Sequence, residues 1–387
     1  NNVDGKWASY GTHENYLVDR ALDFDTMVDL IASFLVTRQV FAGSGRVGLG
    51  QRSEEPGFQI AQRSDYIETL TGLATTARRS IVNTRDEPHA DRRRWRRLHL
   101  IIGDANCFQV PTWLKMGTTS LVLTILENLD ALEAAGVAAR SRLEALRLAD
   151  PVGDVQRVSR DLALTRPLRL ADGRTMTALA IQQAYASIVT DAVADIGHSH
   201  DDDARALAYW TSLLGRLATD RDSCAGQVEW VAKLRLFEAM QARHGLAWGD
   251  PKLAAADLQW ADLRPGKGLA ARLTAAGAVD TIVSNAEVEQ ANTRPPSDTR
   301  ASIRGQVVTH LPDRIVSVTW DNIIVTSPSS RLAQRTTLPD PYLSAEKLSG
   351  IAGGGVNCGN SVEVEALLAQ VSDDAGQGIH RALVENV

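Results

Sequence analysis

The stretch from Asn83 to Asn106, NTRDEPHADRRRWRRLHLIIGDAN, restricts what this chain can fold into more than any other segment. Its end, RLHLIIGD, reads as a β-strand: Leu98, Leu100 and Ile102 point one way, and Arg97, His99 and Ile101 the other. The first face belongs on an apolar core. The second sets a guanidinium beside an imidazole, so it has to look into something polar. An anionic ligand, a metal ion, or both would satisfy it.

The rest of the chain provides room for such a site. With 387 residues there is enough length for a large domain and a smaller one, each with its own core. A formal charge of -6 argues against a general nucleic-acid or membrane-surface binder, although local basic clusters survive that average. No apolar run approaches the roughly 20 residues of a membrane helix, and no secretory leader pattern is visible. Cys107, Cys224 and Cys358 are odd in number and far apart, which suits free thiols in a reducing cytoplasm. The opening NNVDGKWASYGTHENY has no initiator Met and enters sequence that already looks structured, so a fragment is expected.

Residues 1 to about 110 look strand-rich, with Gly and Asn turns between short β segments. From Trp113 the period becomes helical, with Gly136 as a C-terminal cap. Further helices are expected around Thr177–Asp195, Asp203–Thr219 and Val228–His244, as a packing layer without catalytic spacing. The Pro-rich NTRPPSDTR, Asn292–Arg300, is the best domain joint, giving domains at 1–290 and 291–387. After it, Arg314–Val325 alternates like a strand pair, then a Gly-rich stretch precedes a short helix.

Several clusters have the chemistry of a site, each beside a plainer alternative. In GTHENY, His13 and Asn15 share one strand face while Thr12 and Glu14 take the other. Such a pair can ligate a metal and bond a nucleotide; alone, a half-buried structural histidine is the better reading. Arg97 and His99 repeat the arrangement, and two strands offering one histidine each can share a divalent cation. The alternative there is an exposed basic strand edge beside RRRWRR. Arg63 in QRSDYIE and Arg85 in NTRDEPHAD suit a phosphate or carboxylate clamp; for Arg85 an ion-pair knot with Asp86 and Glu87 is equally open. GSGRVG, Gly43–Gly48, has dinucleotide-fingerprint spacing without a helix after it, so a hairpin is expected. HSHDDD, His198–Asp203, reads as a solvated loop with an N-cap Asp. Cys107 is an inert small residue rather than a nucleophile.

Taken together, NNVDGK, SYGTHENYLV, QRSDYIE, NTRDEPHAD, RRLHLIIGDAN, KLRL and DTRASIRG resemble the Pup ligase and Pup deamidase/depupylase family. That family belongs to the glutamine-synthetase-like carboxylate–amine ligases. The resemblance runs from Asn1 to about Ser327. QRSDYIE, GDAN, KLRL, DLQWADL and KGL are similar to the deamidase branch rather than the ligase branch.

The resemblance implies an α+β fold: a glutamine-synthetase-like curved antiparallel sheet packed by helices, with a small C-terminal α/β domain. It implies ATP and Mg²⁺ as bound cofactors, His13 and His99 as metal ligands, and Asn15 and Arg97 on the nucleotide. Arg63 and Arg85 would meet phosphate or a substrate carboxyl. The implied activity is hydrolysis of the C-terminal Gln amide of Pup and of the Pup–lysine isopeptide bond, so the partners are Pup and pupylated proteins. An ATP-consuming Pup–protein ligase, or a non-catalytic Pup- or nucleotide-binding remnant, are the alternatives. Trp7, Ala74 and Cys107–Thr112 depart from the family pattern. The family's leading segment, with a Glu-x-Glu magnesium strand and the catalytic aspartate, is not in this sequence. The N-terminal part of the sheet is therefore expected to be missing, no catalytic residue is assigned, and the fragment alone is expected to be inactive. Glu363 and Glu365 mimic the Glu-x-Glu motif, and no role is transferred to them.

Overall fold

The computed structural model describes residues 9–196, 201–326, 333–344 and 366–369. The chain divides into two compact units, Asn1–Asp86 with Arg96–Ile282, and Glu87–Trp95 with Val283–Val387. The Pro-rich stretch at Asn292–Arg300 falls inside the second unit, and residues 87–95 leave the first unit to join it.

In the first unit the strands are β1 (Glu14–Asp19), β2 (Arg46–Leu49), β3 (Glu55–Gln59), β4 (Ile67–Gly72), β5 (Arg79–Asn83) and β6 (Trp95–Leu100). One sheet has the order β1-β6-β5-β4; β2 and β3 form a separate antiparallel hairpin, as GSGRVG suggested. Strand β6 is thus an interior strand, which disposes of the exposed-edge reading of Arg97–His99. Strand β5 runs antiparallel to β6 but parallel to β4, so the sheet is mixed, a correction to the antiparallel sheet expected. The linker 73–78 makes this possible: at about 3.3 Å per residue it can carry the chain back along the length of β4.

The strand-rich reading of the first 110 residues also needs correction. Phe24–Thr37 is a helix, α1, followed by the single turn α2 (Gln39–Ala42). Asp23 caps α1 by accepting from Thr26 N at 2.9 Å. From Met27 to Thr37 every residue but Asp29 is buried, including Ser33 and Thr37, which continue the four-residue spacing of Asp25 and Asp29 into the core.

The helices that follow are α3 (Gln109–Glu127), α4 (Leu129–Ala134), α5 (Ala139–Glu144) and α6 (Pro151–Ser159). The small hairpin β7 (Pro167–Arg169) and β8 (Thr175–Thr177) comes next. Then come α7 (Ala178–Val193), α8 (Asp201–Thr219), α9 (Glu229–His244), α10 (Pro251–Trp260) and α11 (Leu269–Ala275). Gly136, at φ +82°, ends the α4 turn as its spacing suggested. Trp210, Leu214 and Leu217 of α8 are buried in the main core with Phe34 and Phe41. That core also takes Leu98 and Leu100 of β6, so the apolar face of the sheet is closed and the other face is left for a site.

In the second unit, α12 (Asn285–Thr293) and α13 (Arg300–His310) are joined by an antiparallel sheet of β9 (Ile315–Val318), β10 (Asn322–Thr326) and β11 (Ala333–Thr337). Ile303, Val307, Ile323 and Val325 make its own small core. The Gly-rich 351–360 stretch, Glu363, Glu365, His198 and His200 lie outside the described residues. Among the described residues no helix is long and apolar enough to cross a membrane.

Candidate functional site

Pairing of β1 with β6 brings the two histidine motifs together. His13 Nδ1 and His99 Nε2 are 3.2 Å apart, with ring centroids separated by 5.1 Å. His13 immediately precedes β1; Thr12 fixes it there, its N–H donating to Gly103 O at 2.9 Å and its hydroxyl to Asp104 O at 2.9 Å. His13 is exposed rather than half-buried, whereas His99 is buried opposite Asn83 of β5. Two residues along the same face, Arg97 Nε donates to Asn15 Oδ1 at 2.7 Å.

Arg63 arrives from the loop before the short 3₁₀ turn Ser64–Tyr66. Asp104, the aspartate of GDAN, holds that loop: its carboxylate accepts from the backbone N–H of Ser44, Gln62 and Arg63 at 2.8–3.1 Å. Gly11 makes space for the side chain, since a Cβ there would lie 2.1 Å from Arg63 Cδ. Arg63 is 2% exposed, and its Nη1 donates to Ser9 O at 3.2 Å. Among the described residues its Nε and Nη2 have no hydrogen-bond partner, and neither has the buried Nδ1 of His99. Buried guanidinium donors without acceptors are costly and point to a missing anion.

Arg85 is exposed, with its backbone N–H donating to Asn83 Oδ1 at 3.0 Å. The ion-pair knot with Asp86 does not form, because Asp86 is taken by Arg20 at 2.8 Å and by the backbone N–H of Arg97. A cavity of about 250 Å³ opens beside the site, lined by Phe24, Asn83, Thr84, Asp86, Arg96 and Arg97.

The electrostatics keep both imidazoles neutral. Burial first, then the charge of Arg97, pushes His99 down to about 4. His13 is lowered too: although the residue is exposed, its ring is partly covered where it meets His99, and the charges of Arg63, Arg97 and Arg79 add to that. Neutral imidazole nitrogens are what a metal requires. Adjacent donors on one octahedral ion with bonds of about 2.1 Å stand roughly 3 Å apart, so the 3.2 Å separation fits. Two histidines alone are a thin donor set, and among the described residues no cluster of three metal-binding side chains exists. The surrounding arginines fit oxygens of an anion completing the shell. A metal held with a polyphosphate therefore suits these residues better than a bare cation.

A pH dependence follows. Because His99 titrates lower in the folded chain than in the unfolded one, where its value is about 6.5, the unfolded chain takes up the proton first. Its contribution to stability is complete above pH 6.5 and is lost as the pH falls toward 4. The unfolding free energy, from urea titrations across that window, is expected to fall less steeply in His99→Gln than in the parent; equal slopes would contradict this assignment.

Sequence reasoning missed three contributors. Arg38, between α1 and α2, bonds Glu14 with both Nη atoms, at 2.8 and 2.5 Å. Asp104 acts through loop backbone, and only the GDAN turn signalled it. Arg79 follows an exposed Arg78 and reads as surface charge, yet its field is felt by both His13 and Arg63.

The chain is similar to known proteins along most of its length. A model of the family described as Pup-ligase protein matches residues 1–324. The Pup deamidase/depupylase of Mycobacterium tuberculosis (strain CDC 1551 / Oshkosh) is 46% identical over 341 residues, 87% of this chain. The chain spans 65% of that relative's length. Among solved structures, the complex of Pup with its ligase PafA aligns at TM-score 0.78 and 33% identity, covering 96% of this chain and 70% of the other. PafA in complex with ADP aligns at TM-score 0.78 and 32% identity, covering 96% and 76%. The α+β architecture is that of these ligases, and the chain belongs to the Pup-ligase protein family.

Proposed function

We propose that this chain carries the nucleotide- and metal-holding part of a Pup deamidase/depupylase. Such an enzyme hydrolyses the C-terminal Gln amide of Pup and the isopeptide bond between Pup and a target lysine. The observation that carries the reading is the neutral His13–His99 pair, 3.2 Å apart, ringed by Arg63, Arg85 and Arg97. The 46% identity to a protein of that name favours the hydrolase over the ligase, and ADP in the PafA complex favours a nucleotide as the anion. The free Cys107 and Cys224 suit a cytoplasmic setting.

In this reading His13 and His99 hold Mg²⁺, while Asn15 and Arg97 bind the nucleotide. Arg63 and Arg85 meet phosphate or the substrate carboxyl. When bound, Mg²⁺ and the nucleotide phosphates supply concentrated charge that polarises a carbonyl. The protein's share is placement. The Arg97–Asn15 bond fixes the orientation of both side chains, and Asp104 holds the backbone that delivers Arg63. The depressed His99 titration keeps a donor nitrogen available at neutral pH.

The test uses the intact protein with ATP and Mg²⁺. Pup ending in Gln should lose ammonia, and a pupylated protein should release Pup. The ligase reading requires instead net conjugation of Pup ending in Glu to a target, with ATP consumed in proportion. Neither release nor conjugation would leave a binding protein.

A further inference from the structure

Two parts of the site are fixed at one place, the GDAN turn between β6 and α3. The Gly103 and Asp104 carbonyls accept from the N–H and the hydroxyl of Thr12, which seats His13. The Asp104 carboxylate accepts from the backbone N–H of Gln62 and Arg63, which seats the Arg63 side chain. A proposed metal ligand and a proposed anion ligand thus share one support. What holds that support is a residue with no role in the reading above, Lys115 of α3.

Lys115 is 1% exposed, and the second turn of α3 carries it back to the GDAN turn. Its Nζ donates to Asp104 O at 2.5 Å, the same carbonyl that takes the Thr12 hydroxyl at 2.9 Å. Among the described residues this amine makes no other hydrogen bond and no ion pair. An amine withdrawn from water for one backbone carbonyl is costly to keep for packing alone. The space around it is tight. Gly103 comes so close that a Cβ there would lie 2.5 Å from Glu14 Oε1 and 3.5 Å from Lys115 Cδ. The start of α3 has its own anchor, the buried Glu229, which accepts from the N–H of Cys107 and Phe108 at 2.7 and 3.2 Å. Removing the amine therefore frees the middle of the turn without unwinding the helix. Once its carbonyl is released, Asp104 can turn, and both the Thr12 bond and the carboxylate bonds turn with it.

We propose that Lys115 is a positioning residue that sets His13 and Arg63 together, through the Asp104 carbonyl it shares with Thr12. The proposal rests on the metal and nucleotide reading for what those two side chains hold. The placement of His13 against His99 is independent of that reading.

The experiment compares the intact protein as parent, Lys115→Met, Lys115→Arg and Thr12→Val. It measures ADP affinity with and without Mg²⁺, and the ring NMR signals of labelled histidines in the ligand-free protein. Lys115→Met is expected to lose about tenfold in metal-free ADP affinity, through Arg63, and about tenfold in the Mg²⁺ enhancement, through His13, the low end of what losing an outer-shell partner costs. Thr12→Val should lose the enhancement alone. Lys115→Arg, which keeps a donor for the carbonyl, should recover part of both. In Lys115→Met the His13 and His99 ring signals should move, while that of His244, exposed at the end of α9, stays in place. Should Lys115→Met fail to fold, Lys115→Gln takes its place, being polar but too short to reach the carbonyl. A variant that is less stable in urea yet keeps both ADP terms and both histidine signals makes Lys115 a packing residue and overturns the proposal. Loss of only one of the two ADP terms overturns it as well. A parent that does not bind ADP sinks the nucleotide reading, and the histidine signals then decide the positioning role.

Discussion

His13→Ala is expected to lower metal-dependent nucleotide affinity by more than about a hundredfold while leaving the fold almost untouched. The size follows from the role. Loss of groups that merely orient metal ligands costs 10- to 100-fold, and His13 is proposed to donate its own nitrogen. The small effect on stability follows from exposure: His13 lies outside the core, and such substitutions usually change folding by less than about 0.5 kcal/mol. Removing it leaves His99 as a lone imidazole beside several arginines, an environment that repels a cation unless the anion is already bound. Titration of ADP with and without Mg²⁺ separates the terms. In the parent, Mg²⁺ should tighten ADP; in His13→Ala that enhancement should vanish, with the metal-free affinity preserved. An enhancement that survives in the variant would remove His13 from the metal site. His99→Ala tests the same role less cleanly, because its ring is buried and its loss also leaves a void next to the core.

Which parts of this site were legible in the sequence depends on how local each cause is. Strand β6 was legible because a period of two needs only neighbours, and RLHL has it. Helices α7, α8 and α9 were legible because polar and apolar residues alternate along them at 3.6-residue spacing. Helix α1 carries its signal in Asp25, Asp29, Ser33 and Thr37 at four-residue spacing, and the apolar run between them reads equally as a buried strand. Arg63 and Arg85 stood out through motifs; Arg79 did not, since its field reaches His13 and Arg63 only through the fold. The pairing of His13 with His99 was a proposal from similar motifs, and 86 residues separate them. Only the adjacency of β1 and β6 makes the distance real.

The same dependence on long-range pairing makes Arg38→Ala the most damaging single change expected for stability. Glu14 lies between His13 and Asn15 but faces the opposite way, and it is 1% exposed. There it accepts from both Nη atoms of Arg38 and from the Tyr16 hydroxyl at 2.7 Å, while Arg38 Nη1 also reaches Thr119 Oγ1 at 2.7 Å. Removing the guanidinium leaves a carboxylate buried without its counter-charge, which typically costs about 3–5 kcal/mol. The consequence reaches the site, since side chains alternate along a strand: whatever holds Glu14 inward holds His13 and Asn15 outward. Urea unfolding should show the full loss in Arg38→Ala. In Glu14→Leu with Arg38→Met, much of the stability should return, because an apolar pair leaves no stranded charge. A loss below about 1 kcal/mol in the single variant would mean that water reaches Glu14. A double variant as unstable as the single would mean that the charge pair, rather than mere filling of this space, keeps β1 in register. In either case the metal-dependent part of ADP binding should fall with the register, since His13 can meet His99 only while Glu14 stays buried.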